Sequence, residues 1–172
     1  MALVMPFLAV ILLALTGPAH AIGPAQRFTV AQLKYRGGNW NPRAGAIKAL
    51  LQEIERRTSI QPQAEASVLG PDDPRIFRHT LLYMAADAEF APFSQHEIQR
   101  LRLFLNNGGM LLMDDAQGHR DQGFDKSARA LAKQLFPGKN LSRLKNDHSI
   151  YRSFYLLPEP GGRVSRQSFL EG

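Results

Sequence analysis

The stretch that decides the fold class is Gly108-Gly109-Met110-Leu111-Leu112-Met113-Asp114-Asp115. Four apolar residues follow a glycine pair and end on two carboxylates. An unbroken apolar run of this length reads as a central strand of a parallel sheet, covered on both faces. Upstream, Ser94-Gln-His-Glu97 has the spacing of a capping box. It opens a helix that carries Ile98, Leu101, Phe104 and Leu105 on one face, and Asn107-Gly108-Gly109 stops it. Before that helix, Leu81-Leu-Tyr-Met-Ala85 reads as a second buried strand. Strand, helix and strand in this order form the crossover unit of a parallel sheet.

The same alternation extends in both directions. Phe28 to Tyr35 alternates and is rich in β-formers, so it predicts a strand. Arg36-Gly-Gly-Asn-Trp40 is a loop, after which Asn41 is placed to cap a helix with Pro42 at its first position. Ile47, Leu50, Leu51 and Ile54 give that helix one apolar face, and Glu55-Arg56-Arg57 ends it. Ala66 to Leu69 is a short strand before a Gly70–Pro74 turn. Towards the C-terminus, Asp125 is the expected cap of a third helix bearing Ala128, Leu131 and Leu135, ended by Pro137-Gly138. Ser149 to Leu157 is aromatic and fits a short helix or a strand, and Pro158 to Gly162 is a turn. The expected architecture is an α/β fold, a parallel sheet with helices on both faces. Only four strands are clear, so C-terminal elements of the sheet are expected to be missing.

Composition narrows the chemistry. With 44% hydrophobic and 21% charged residues, the chain of 172 residues matches a globular protein and excludes disorder and multiple membrane spans. Zero cysteines exclude disulfides, thiolate metal sites and cysteine nucleophiles. The net charge of +6 favours acidic partners. Residues 1–15 are apolar and uncharged, Thr16-Gly17-Pro18 breaks the run, and Ala19-His20-Ala21 supplies a small-x-small cleavage pattern. The expectation is a signal peptide over 1–21, cleaved after Ala21, a single domain over 22–172, and a periplasmic or secreted product. Retention of the segment as an anchor is the alternative. The run is short of the roughly 20 apolar residues that a span needs, so no stable membrane span is expected after cleavage.

Val30 to Pro42 (VAQLKYRGGNWNP), Leu82-Tyr-Met84, Phe90-Ala-Pro-Phe93, Gly108-Gly109 with Asp114-Asp115, Phe136-Pro-Gly138, Asp147-His148 and Arg152-Ser-Phe-Tyr155 together resemble the bacterial family called domain of unknown function 4159. The resemblance spans Arg27 to Gly172. It implies a three-layer, flavodoxin-like fold related to class I glutamine amidotransferase-like proteins, and a chain that continues past Gly172. Some members are fused to, or encoded beside, membrane proteins of a chaperone-ATPase and von Willebrand-type system, which implies a cell-envelope protein partner. The family name carries no activity. Amidotransferase chemistry needs a nucleophilic cysteine, which is absent here.

Open α/β sheets bind ligands at the carboxyl ends of their strands. Three loops are expected there: Tyr35–Trp40, Ala86–Glu89 and Asp114–Asp121. Tyr35, Arg36, Gly37, Gly38, Asn39 and Trp40 are ligand-binding candidates, because a glycine loop before a helix N-terminus favours anions and Arg36 adds a bidentate donor. A tight turn with Trp40 packed on the helix is the competing structural reading. Asp87 and His119 are further candidates on the neighbouring loops. Asp114 and Asp115 are the catalytic candidates, as a general base or, with His119, Asp121 or Asp125, as oxygen ligands of a divalent cation. Adjacent strand residues point to opposite faces, so capping or an arginine pair competes with both roles. His79, His96 and His148 lack metal-ligand spacing, and Ser94 reads as a cap. No cofactor is expected. The basic residues are scattered without interleaved aromatics, so nucleic acid is not an expected partner. An unpaired sheet edge makes self-association a further expectation. The function expected is noncatalytic binding of an anionic or carbohydrate-like ligand, or of an envelope protein. The alternative is a hydrolase using Asp114 and Asp115.

Overall fold

The structure, a computed structural model, describes residues 27–153, 156–158 and 169–172. The expected signal segment 1–21 lies outside the described residues, as do 154–155 of the aromatic segment and 159–162 of the expected turn. Four strands, β1 (Val30–Leu33), β2 (Ser67–Leu69), β3 (Leu81–Ala86) and β4 (Met110–Asp115), form one sheet in the order β2-β1-β3-β4. Every pairing is parallel. This is the order in which a flavodoxin-type sheet begins, with its switch point between β1 and β3.

Helices α1 (Ala46–Arg57), α2 (Gln95–Asn106) and α3 (Gly123–Leu135) complete three layers. On one face, Ile47 and Leu51 of α1 meet Val30, Leu81, Tyr83 and Ala85. On the other, Ile98, Leu101 and Phe104 of α2 and Phe124, Ala128, Leu131 and Leu135 of α3 meet Ala31, Leu33, Leu82, Met84 and Ala86. Alternation along β1 and β3 divides their side chains between the two clusters. Each large apolar side chain buried in this way contributes about 1.5–3 kcal/mol of transfer free energy.

The capping box is present: Ser94 Oγ accepts from Glu97 N, and Glu97 Oε2 accepts from Ser94 N at 2.6 Å. Other boundaries differ from the sequence reading. α1 starts at Ala46, four residues after Pro42, because Gly45 takes the left-handed conformation at φ 90°. Asn41 is used elsewhere, its Oδ1 accepting from Gln32 Nε2 at 3.1 Å. α3 begins at Gly123 with Gln122 at the cap, so Asp125 sits in the first turn. There it accepts from Asp121 N and pairs with Arg129. Among the described residues the run Met110–Met113 pairs with β3, and Met110 is 45% exposed. The run's side chains are exposed or half-buried, less covered than a run of four apolar residues leads one to expect. The described part of the aromatic segment holds a short 3-10 turn, Ser149–Tyr151. A second 3-10 turn, Pro74–Arg78, follows the Gly70 turn and buries Ile76 completely. No helix among the described residues is long and apolar enough to cross a membrane.

Candidate functional site

Parallel pairing of β1, β3 and β4 brings the three anticipated loops to one edge. The loops after β1 and β3 lie directly on each other. Arg36 O accepts from Ala91 N at 3.1 Å, and Asn39 Nδ2 donates to Asp87 Oδ2 at 3.0 Å. Gly37 and Gly38 allow this approach. Both have positive φ, and a Cβ would stand 2.8 Å from Ala91 N in the first case and from Glu89 O in the second. The glycine pair therefore serves loop-on-loop packing, and α1 begins too far on for the pair to form its N-terminus. Tyr35 is buried beneath the loops against Phe90, and its hydroxyl donates to Ala85 O at 2.6 Å. Burial first, then the Asp87 carboxylate, pushes the phenol well above its ordinary pKa. Trp40 packs partly buried against the core on the α2–α3 side, with the Lys34 ammonium 5.6 Å from its ring centre.

Beside this packed pair, a cleft of about 410 Å³ opens between the ends of β1 and β2 and the start of α2. Lys34 and Arg36 supply cationic donors to its wall, and Asp72, Ser94 and Glu97 supply oxygens. Arg36 is 72% exposed and stands 3.5 Å from Glu97, which is itself held by the capping box.

The carboxylates at the end of β4 separate. Asp114 is in register with Ala85 on the α1 face, and Asp115 with Ala86 on the opposite face. Asp114 Oδ2 accepts from the Tyr83 hydroxyl at 2.7 Å, while Asp115 Oδ1 accepts from Gln117 N at 2.9 Å. His119 is exposed, and Asp121 and Asp125 are both within ion-pair distance of Arg129. Among the described residues, no three His, Asp or Glu side chains are grouped to hold a metal ion.

Residues 29–169 match the model of a family described as a domain of unknown function, DUF4159. The chain belongs to this family. A search of curated proteins found no match. The matched span of the DUF4159 domain contains all four strands, all three helices and every candidate residue above.

The sequence reading missed the polar side chains on the α1 face of this DUF4159 domain. Gln32 is buried and donates to Trp40 O and Asn41 Oδ1, which ties the loop after β1 to its own strand. Tyr83 is buried on the neighbouring strand in register with Gln32. Arg43 crosses from that loop to the end of β4 and donates from Nη2 to Ala116 O at 2.6 Å. Its Nε is shielded without a partner among the described residues. Gln32 and Tyr83 were legible as polar interruptions of buried strands. Nothing in the local pattern around Arg43 marks it.

Proposed function

We propose that this DUF4159 domain is an exported binding module for a hydroxylated anion, such as a sugar acid, with its site at the carboxyl edge of the sheet. One observation carries the reading: the cleft of about 410 Å³ is lined both by the cations Lys34 and Arg36 and by the oxygens of Asp72, Ser94 and Glu97, with Arg36 3.5 Å from Glu97. A simple anion is served by the cations alone. A ligand with hydroxyl groups as well as a carboxylate also gives a donor to Asp72, while Glu97 and Ser94 already accept from each other's backbone. Binding is favoured over hydrolysis because Asp114 and Asp115 face opposite sides of the sheet and each accepts a hydrogen bond from a neighbour. Paired general acid and base chemistry requires both groups to reach one ligand.

Titration calorimetry of the full chain with glucuronate, glucose and inorganic phosphate tests the reading. Glucuronate is expected to bind tightest, and Lys34→Ala with Arg36→Ala to weaken it at least about tenfold, equivalent to ~1.4 kcal/mol. Equal affinity for phosphate, or an unaffected double variant, contradicts it. Export is supported by the apolar run of residues 1–15 and by Ala19-His20-Ala21. N-terminal sequencing of the exported product should begin at Ile22, and a full-length cytoplasmic product contradicts export.

A further inference from the structure

A larger cleft, about 940 Å³, opens at the amino edge of the sheet, opposite the site proposed above. The segments entering β1 and β3 line it, together with the connection from α1 to β2. Three features set it apart. Its charge has one sign among the described residues: Arg27 and Arg78 line it, and no acidic side chain does. It also keeps large apolar groups in contact with water, Ile60 at 46% and Phe77 at 41% exposure, with Phe28 beside them. Lastly, His79 Nδ1 is shielded from solvent with no hydrogen-bond partner among the described residues. Burial, and then the Arg75 charge, lower the His79 pKa from its ordinary value.

Single exposed apolar residues are common on protein surfaces, and so are arginines on a basic one. In one concavity they select for a ligand with both characters. A volume of this size is within the range of small-molecule sites. A simple anion leaves Ile60 and Phe77 in water, and a neutral apolar molecule leaves the arginines unpaired. We propose that this cleft binds a single-chain anionic amphiphile, with its acidic head at Arg27 and Arg78 and its apolar chain along Phe28, Ile60 and Phe77. A carboxylate or a phosphate head satisfies the arginines through bidentate hydrogen bonds. A fatty acid would supply the first and a lysophospholipid the second.

The test is titration of the full chain with laurate and with dodecyl phosphate, each below its micelle concentration. Dodecyltrimethylammonium and inorganic phosphate serve as controls. Saturable binding of either anionic amphiphile is expected, at least about tenfold tighter than either control, a difference of ~1.4 kcal/mol. The preferred head identifies the source, and either preference supports the proposal. Arg27→Gln with Arg78→Gln should weaken binding at least tenfold without lowering the unfolding temperature. Ile60→Ser, a change at an exposed side chain, should weaken dodecyl phosphate and leave inorganic phosphate unaffected. The proposal is overturned if the cationic amphiphile binds equally well, or if both variants bind like the parent. It is also overturned if inorganic phosphate binds as tightly as its dodecyl ester, or if the chain adsorbs to anionic vesicles without binding the monomers.

Discussion

The two ends of the sheet use their polar groups in opposite ways. At the carboxyl edge, loop is tied to loop: Asn39 to Asp87, Arg36 O to Ala91 N, Arg43 to Ala116 O, and Gln32 to Trp40 and Asn41. The backbones there approach so closely that Gly37 and Gly38 have no room for a side chain. At the amino edge, Arg27 and Arg78 line an open cleft beside exposed apolar groups. The comparison separates two meanings of a conspicuous loop. Arg36–Trp40 looks functional in sequence, yet much of its composition is explained by packing, and the cleft of the proposed site opens beside it. The amino edge has no motif and holds the larger cavity.

The largest effect should come from breaking the packed edge. Gly38→Ala combines a left-handed backbone at φ 68° with a Cβ 2.8 Å from Glu89 O. Together these should cost about 2–4 kcal/mol in denaturant unfolding. Gly45→Ala is the control, since φ is 90° but nothing lies within 4 Å. Its cost should be about 1 kcal/mol, from backbone conformation alone. Equal losses at both positions would show that loop approach is not what requires Gly38.

Next in size is the polar pair on the α1 face. Tyr83→Phe removes a donor at 2.7 Å from Asp114, and a loss of about 1–2 kcal/mol is expected in thermal unfolding. Asp114→Asn should cost a similar amount, and the double variant less than the sum of the two, because the groups share one interaction. Additive losses would mean that each side chain serves a different partner. At the open edge, by contrast, Arg27→Gln and Ile60→Ser should each change stability by less than about 0.5 kcal/mol. A larger loss would make that cleft part of the structural core and erase the contrast between the two ends.

The smallest effect is confined to acid. Hydrogen bonds from the Arg75 side chain and backbone hold the Asp73 carboxyl at about 2, below its ordinary 3.8. A folded-state value below the unfolded one adds stability above the unfolded pKa, lost as pH falls through the folded one. The contribution of Asp73 should therefore be complete above about pH 4 and disappear towards pH 2. Asp73→Asn should flatten that acid limb in a series of thermal melts, without altering the slope between pH 6 and 8. An unchanged limb would show that Arg75 does not hold Asp73 in solution.

Much of the layer plan was legible in the sequence because it depends on local periodicity. Ile98, Leu101 and Phe104 repeat at helical spacing, and Ser94 with Glu97 marks the start of their helix. What was not legible depends on partners distant in sequence. Met110–Met113 is apolar enough for a buried strand, but that β3 is its neighbour comes from the strand order. Asn41-Pro42 has the chemistry of a helix start, yet Gln32 recruits Asn41 and Gly45 delays the helix. Asp114 and Asp115 were visible as strand-end carboxylates, and strand alternation already placed them on opposite faces. The partners Tyr83 and Gln117 emerged only with the fold. Arg43, which joins the loop after β1 to the end of β4 across 73 positions of sequence, had no local signature.

If the proposed function holds, the carboxyl-edge cleft, rather than the packed glycine loop or the carboxylates of β4, takes up the ligand. Amide shift mapping of the isotope-labelled full chain during a glucuronate titration tests it directly. Saturable shifts are expected at Lys34, Arg36, Asp72, Ser94 and Glu97, with Asp115, Gln117 and the amino-edge residues Phe77 to Thr80 unchanged. Shifts centred on Asp114 and Asp115, or an absence of saturable shifts around Lys34 and Arg36, would contradict it.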